Sequence, residues 1–290
     1  SLDLSAAFDV VDHKILIKRL QLKGLPQHLT ELIQDWLTDR TMYVEVNNKC
    51  STFRNIDYGT LQGSVLGPVL FSLFISPIYD LTKVTTYADD NYLQEFDKNI
   101  QATIGKVKKK AEITINWLRS SGMKVNAEKT ELCIFFNGDI KPITMIIDGQ
   151  KIKSKPNIKI LGVLFDSKLN WRPQVDECIG NCRRVLHGIN LIKSYFTPDE
   201  RLHLVNSFFY SKLYYCATVW LNQMSDSKSV QKLKNVSASA LRLVSGDEFS
   251  FFSFDELHCM FNRATPVQWS LYQHAITLLL QGQMQEGIHI

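Results

Sequence analysis

Apolar residues near the start of the chain recur at two different periods. Ile15, Leu16, Ile17, Leu20 and Leu22 follow Asp12, a good N-cap, and mark a helix that Gly24 can end. Pro26 opens a second helix with Leu29, Leu32, Ile33 and Leu37 on one face. Leu2 to Leu4 reads as the end of a buried strand. Met42 to Val46, an Asn47-Asn48 turn and Thr52 to Ile56 read as a β-hairpin. An apolar helix over Val69 to Ile75 has Pro68 in its first turn, and a longer helix runs from Ile100 to Ser120 until Gly122 stops it. Strands follow over Leu132 to Phe136 and over Ile143 to Ile147, with Asp148-Gly149 turning into Lys151-Ile152. Ile158, Ile160, Val163 and Phe165 predict one more strand, interrupted at Gly162. Beyond Trp171 the spacing is helical throughout, as in Val175, Ile179, Cys182 and Leu186, or Leu202, Val205, Phe208 and Phe209, or Leu233, Val236, Leu241 and Val244. Pro198, Asp226-Ser227 and Gly246 separate these runs. The pattern is α+β for residues 1–170 and mostly helical for 171–290, with the boundary near 168 to 173.

Composition adds bounds. With 290 residues, 45% hydrophobic and 21% charged, the chain has material for about two cores and is not a disordered protein. A net charge of +4 permits a polyanionic partner without arguing for one, so a nucleic-acid case has to rest on local residues. The six cysteines contain no C-x-x-C pair, which points to a reduced, intracellular protein, nuclear or cytoplasmic. Cys178 and Cys182 stand one helical turn apart near His187, but a zinc site lacks a fourth ligand at suitable spacing. The longest apolar run, Val65 to Ile78, is broken by Pro68 and Pro77, so no membrane segment is expected.

The candidate chemistry centres on Tyr87-Ala88-Asp89-Asp90. Flanked by Thr85, Thr86, Tyr92 and Leu93, it reads as strand, turn, strand, with Asp-Asp-Asn as the turn. Adjacent carboxylates repel, so either a cation sits between them or they are ordinary solvated turn residues. Tyr58 to Pro68 is a loop punctuated by Gly59, Gly63 and Gly67, which serve either close approach to another molecule or tight turns. Lys106, Lys108, Lys109 and Lys110 face either phosphate or solvent, and a solvated helix face suits a run of this size.

Taken in order, these pieces resemble the reverse transcriptases of non-LTR (LINE-type) retrotransposons, over nearly the whole chain. Leu2-Asp3-Leu4-Ser5-Ala6-Ala7-Phe8-Asp9 resembles the family's motif A, Gly59 to Phe74 motif B, Tyr87 to Asp90 motif C and Trp117 to Phe136 motif D. Lys159-Ile160-Leu161-Gly162-Val163 is similar to motif E, the primer grip, and Leu213-Tyr214-Tyr215 with Val219-Trp220 to the thumb-like region. The resemblance implies a polymerase palm over 1–170, an antiparallel sheet with packed helices, and a helical thumb-like region over 171–290. It implies RNA-directed DNA polymerase activity by two-metal nucleotidyl transfer on an RNA template and DNA primer, with two Mg²⁺ ions bound by Asp3, Asp89 and Asp90. Phe8 would stack beneath the incoming sugar, or else is a core residue on a short helix. Gln62 and Gly63 would lie against the nucleotide and template, Lys129, or its neighbour Lys124 of similar chemistry, would protonate the departing pyrophosphate, and Leu161 and Gly162 would support the primer end. Arg183, Arg184, Lys193 and Arg201 either touch the duplex backbone or are exposed helix charges.

The sequence departs from the family pattern in two places. Gly59-Thr60-Leu61-Gln62-Gly63 stands where Gly-Val-Pro-Gln-Gly is common, and Ser76-Pro77 where Asn-Asp is common. The chain opens directly on motif A, so the expectation is a piece of a longer parent, without fingers or endonuclease and weak or inactive alone. Besides the polymerase, two other readings stay open. One is a retroelement-derived, non-catalytic structural subunit whose protein partners cover the surface left by the fingers. The other is a passive binder of RNA–DNA hybrid, with steep salt dependence and no turnover.

Overall fold

The computed structural model describes residues 1–136, 138, 141–147, 149–221, 224, 226–245, 259, 265, 266, 268, 269, 271 and 273, and the expected turn residues Asp148 and Gly246 lie outside them. The chain divides into two compact units, Ser1–Leu132 with Lys141–Lys155, and Cys133–Ile140 with Pro156–Ile290. The division thus falls ahead of the expected boundary near residue 170, and the hairpin of residues 157–166 belongs to the second unit. Helices and short antiparallel sheets alternate through the first unit, so the fold is α+β. Among the described residues no helix is long and apolar enough to cross a membrane.

In the first unit, strand β1 (Asp3–Leu4) is followed by α1 (His13–Leu22), where Ile15 N donates to the Asp12 carboxylate at 3.0 Å as the N-cap reading requires. Helix α2 (Gln27–Leu37) follows Pro26. The expected hairpin forms in two pieces, Thr41–Met42 on Arg54–Asn55 and Glu45–Val46 on Lys49–Cys50, with Asn47 and Asn48 both at positive φ in the turn. Then come α3 (Gly67–Ile75), α4 (Pro77–Thr82), the strands β2 (Thr85–Tyr87) and β3 (Asp90–Tyr92), α5 (Ile100–Ser120), β4 (Val125–Asn126) and the paired β5 (Thr144–Ile147) and β6 (Gln150–Lys155). The strand expected over Leu132 to Phe136 is only Leu132–Cys133.

Leu16, Leu20, Leu70, Phe71, Phe74, Ile115 and Leu118 from α1, α3 and α5 form the centre of this unit's core. Each such side chain contributes about 1.5–3 kcal/mol when fully buried. Arg19 enters this core as a cation without a carboxylate partner among its described contacts. Its guanidinium lies 4.4 Å from the Phe74 ring centroid and 4.6 Å from that of Trp117, and it donates to the Phe74 carbonyl and the Ser121 hydroxyl, both at 2.6 Å. Burial lowers the pKa of Arg19 from its ordinary value.

In the second unit, β7 (Asn157–Ile160) and β8 (Val163–Asp166) form a hairpin. The strand expected to be interrupted at Gly162 is therefore two strands. Leu161 and Gly162 both adopt positive φ, 45° and 81°, and reverse the chain in a two-residue turn. The buried Asp166 carboxylate then accepts from the backbone N–H groups of Lys168, Asn170 and Trp171 at 3.1, 3.0 and 2.7 Å, which fixes the entry into α6 (Arg172–Ile192). Helix α7 (Pro198–Leu204) opens with a capping box between Thr197 and Glu200 and continues into a π-helical turn, Val205–Tyr210. After α8 (Ala217–Trp220) comes α9 (Ser227–Ser245). Val175, Ile179, Cys182, Leu186, Leu233, Val236, Leu241 and Val244 are all buried, as their spacing requires. Cys178 and Cys182 belong to this core. Their mutual hydrogen bond, with burial, pushes the Cys182 thiol up.

Candidate active site

Pairing of four short strands builds the floor of the site. Asp3 and Leu4 pair with Asn126 and Val125, and Leu2 bridges Asn91 through N–H to carbonyl bonds of 2.7 and 3.4 Å. Across that bridge the neighbour of Asp3 is Asp90, one residue along each strand in the antiparallel register. Leu2, Leu4 and Asn91 are 2%, 5% and 0% exposed, so alternation turns Asp3 away from the face that Leu2 and Leu4 bury. Asp90 pairs with Tyr87 across the β2–β3 hairpin. The two-residue turn is therefore Ala88-Asp89, with Ala88 at φ 51°, and the expected Asp-Asp-Asn turn is displaced by one position. Asn91 sits inside the strand, and its amide donates to the Asp89 carbonyl at 2.8 Å.

The three aspartates are within electrostatic reach of one another. Burial raises the pKa of Asp3 above its ordinary value, Lys129 opposes that shift, and Asp89 and Asp90 add to it. Asp3 Oδ2 is buried and has no hydrogen-bond partner. Among the described residues no three His, Cys, Asp or Glu side chains converge into a ready-made metal cage. Lys129 is brought in by the turn after β4, where Glu128 N donates to the Asn126 side chain at 3.2 Å and Thr130 Oγ1 to the Asn126 carbonyl at 2.8 Å. Of the two candidate lysines, Lys129 is the one whose charge acts on Asp3.

The loop before α3 packs on the segment that follows β1. Thr60 N donates to the Phe8 carbonyl and Gly59 N to the Val11 carbonyl, both at 2.8 Å, and His13 Nε2 lies 2.8 Å from the Gly59 carbonyl. A Cβ on Gly59, at φ 93°, would sit 2.9 Å from the Asp9 carbonyl oxygen, and one on Gly67 would sit 2.6 Å from the Leu61 carbonyl oxygen. These two glycines serve close approach of the chain to itself, whereas the space around a Gly63 Cβ is open within 4 Å and its φ is 82°. Gln62 Nε2 donates to Asp9 Oδ1 at 2.9 Å. Phe8 lies in a turn, not on a helix, and stacks on Phe71 of α3 with centroids 4.2 Å apart and planes at 25°.

Sequence reasoning passed over two side chains here. Tyr92 donates to Asp90 Oδ2 at 3.0 Å, and its position two residues along a strand was the available signal, since such residues share a face. Asp9, the acceptor for Gln62, carries no comparable signal, because their pairing spans 53 residues.

The other residues read as contacts lie on other elements. Leu161 and Gly162 form the hairpin tip of the second unit. Lys106 and Lys110 are ion-paired with Asp97 at 2.7 Å and Glu95 at 2.9 Å, and Lys108 lies 4.0 Å from Glu112, so these lysines have partners within the chain. Arg201 donates to the Leu243 carbonyl at 3.4 Å, and Arg184 to the Asn181 side chain.

The family model for reverse transcriptase (RNA-dependent DNA polymerase) matches residues 1–165, which includes every strand of this site. The chain belongs to the reverse transcriptase family. Over 258 residues it is 26% identical to the RNA-directed DNA polymerase from mobile element jockey of Drosophila melanogaster, covering 84% of this chain and 28% of that protein. It is 28% identical over 193 residues to the probable RNA-directed DNA polymerase from transposon BS of the same species, covering 62% of this chain and 21% of the relative. The Pol polyprotein from type-1 retrotransposable element R2 of Popillia japonica is 27% identical over 238 residues, 74% of this chain and 37% of the relative. The chain thus spans between a fifth and two-fifths of these reverse transcriptase relatives. The resemblance to non-LTR retrotransposon reverse transcriptases read from the motifs stands.

Proposed function

We propose that this reverse transcriptase chain carries the nucleotidyl-transfer centre of an RNA-directed DNA polymerase, with Asp3, Asp89 and Asp90 as its metal ligands and an RNA template and DNA primer as its substrates. The observation that carries the reading is the buried, unpartnered Oδ2 of Asp3 beside a hairpin that bears two further carboxylates, Asp89 in its turn and Asp90 at the start of its second strand. A buried anionic oxygen with no donor is an unfavourable arrangement unless a cation completes it. An all-oxygen donor set of this kind fits Mg²⁺, which prefers a few carboxylates together with waters and phosphate oxygens to a closed protein cage. That preference accounts for aspartates that interact without forming a complete cage among the described residues. Divalent ions held there by Asp3, Asp89 and Asp90 would supply activation of the primer 3′-hydroxyl and neutralisation of the triphosphate.

The remaining roles belong to the chain itself. Lys129, exposed and acting on Asp3, holds the proton for the departing pyrophosphate. Phe8, backed by Phe71, presents its ring beneath the incoming sugar and excludes a 2′-hydroxyl. Gln62 and Gly63 contact nucleotide and template, with the Gln62 amide oriented by Asp9 before the nucleotide arrives. The first unit acts as palm, the helices of the second as thumb, and the Leu161-Gly162 tip supports the primer end.

Primer extension on a primed RNA template with Mg²⁺ and deoxynucleotides tests the reading, using the parent beside Asp89→Ala. The variant is expected to lose extension by more than about 100-fold, beyond the range of outer-shell partners of a metal site. Equal extension by both proteins removes Asp89 from the chemistry. Absence of extension in both, with both folded, transfers the chain to the non-catalytic reading.

A further inference from the structure

The hairpin tip at Leu161-Gly162 has a construction that its own sequence does not explain. Two-residue turns with positive φ at both positions are built from Asn-Gly, Asp-Gly or Gly-Gly, because those residues enter the left-handed region at little steric cost. Here the first position is leucine at φ 45°. A leucine there is strained by its Cβ, so the conformation has to be held from outside the hairpin.

The hold comes from Tyr215, 54 residues further along and in the same unit. Its hydroxyl donates to the Leu161 carbonyl at 2.8 Å. Its ring lies flush against the other turn residue: a Cβ added to Gly162 would meet Tyr215 Cε1 at 3.2 Å and its hydroxyl oxygen at 3.4 Å. Tyr215 is in turn tied to the core of the unit, since the fully buried Trp220 donates its indole N–H to the Tyr215 carbonyl at 3.2 Å. The residue after Tyr215, Cys216, also adopts positive φ, 48°, where the chain turns sharply into α8. A rigid relay therefore runs from buried Trp220 through the Tyr215 backbone and side chain to the tip. Leu161 at 40% exposed and Tyr215 at 51% leave an apolar and aromatic surface open at its end.

We propose that Tyr215 is the positioning residue of the tip: it holds Leu161-Gly162 in the left-handed turn and so sets the surface that receives the primer end. The primer part rests on the function proposed above, whereas the clamp itself does not. Tyr215→Phe keeps the ring and removes the hydrogen bond.

The test uses the full chain and two readouts. Amide hydrogen exchange at Gly162 and Val163 reports the turn. Fluorescence anisotropy of a labelled RNA-template–DNA-primer duplex reports the surface. Tyr215→Phe is expected to speed exchange at the tip by roughly 2- to 10-fold, the span of one lost hydrogen bond, and to weaken duplex binding by a similar factor. Adding Leu161→Gly, which accepts positive φ freely, is expected to slow the exchange again; a general loss of stability would not be rescued in this way. Unchanged exchange overturns the clamp. Faster exchange with duplex affinity unchanged, or absent in both proteins, overturns the positioning role and the primer assignment of the tip. The aspartate reading then stands or falls separately on the extension assay.

Discussion

Asp3→Asn is expected to make the protein more stable and less able to use divalent metal. In the folded protein the Asp3 carboxyl is harder to ionise than its ordinary value of 3.8, chiefly through burial, with Asp89 and Asp90 adding to the effect and Lys129 opposing it. The folded state therefore binds this proton more tightly than the unfolded state does. Stability falls as pH rises from 3.8 through the raised folded value, and the penalty is complete above it. Leaving a buried acceptor without a partner costs about 1–3 kcal/mol. Asp3 is only partly buried, which puts its penalty near the low end, about 1 kcal/mol. The attraction to the exposed Lys129 is solvent-screened and offsets little of it. An uncharged asparagine removes the like-charge and ionisation terms, and its amide can donate to a neighbouring carboxylate. The melting temperature of the variant at neutral pH, without divalent ions, is expected to exceed that of the parent by about 2–4 °C. The difference should shrink as pH falls toward 3.8 and vanish below it, where Asp3 is protonated in both the folded and the unfolded state. Adding Mg²⁺ should reverse the order, because only the parent gains from binding it. Thermal melts at pH 4, 5.5 and 7.5, with and without Mg²⁺, read all three effects. A variant less stable than the parent at neutral pH without metal would refute the reasoning, since the carboxylate would then be a structural contact.

Arg19→Met keeps an apolar stem of similar length but loses two ring contacts and two hydrogen bonds; denaturant unfolding should show a loss of about 2–4 kcal/mol, only partly recovered by lysine. Gly59→Ala drives a methyl to 2.9 Å from the Asp9 carbonyl at an unfavourable positive φ, so a loss of about 1–3 kcal/mol is expected, together with weaker primer extension as the turn bearing Phe8 is displaced. Equal extension and stability in Gly59→Ala would show that the loop is free to move away. Tyr92→Phe removes the donor to Asp90 and should lower the extension rate by roughly 2- to 10-fold while the melting temperature moves little; an unchanged rate makes Tyr92 a bystander.

Much of the molecule was legible in the one-dimensional pattern. Helical spacing located α1, α2, α6 and α9, because burying one face of a helix demands an apolar residue every three or four positions. Asp12 as N-cap and Asn47-Asn48 as a turn were readable for a similar reason: their local hydrogen bonding and backbone preferences act over three or four residues. The motifs of the reverse transcriptase family were also in the sequence. Where the local signal was shared between two outcomes, the sequence erred. It spread one turn over Asp-Asp-Asn instead of Ala88-Asp89, and it ran one strand through Gly162 where two strands meet. Only tertiary structure could decide the long-range partners, because nothing in residues 1–9 encodes which strand will lie alongside. The neighbouring of Asp3 and Asp90 depends on the bridge between Leu2 and Asn91. The action of the Lys129 charge on Asp3 depends on how the turn after β4 folds, and the bond from Gln62 to Asp9 spans 53 residues. Tyr215 reaches Leu161 across 54. Periodicity and capping are satisfied within a turn or two of chain, so sequence determines them; a carboxylate's field and a clamp on a strained turn arise from distances that only the packed chain defines.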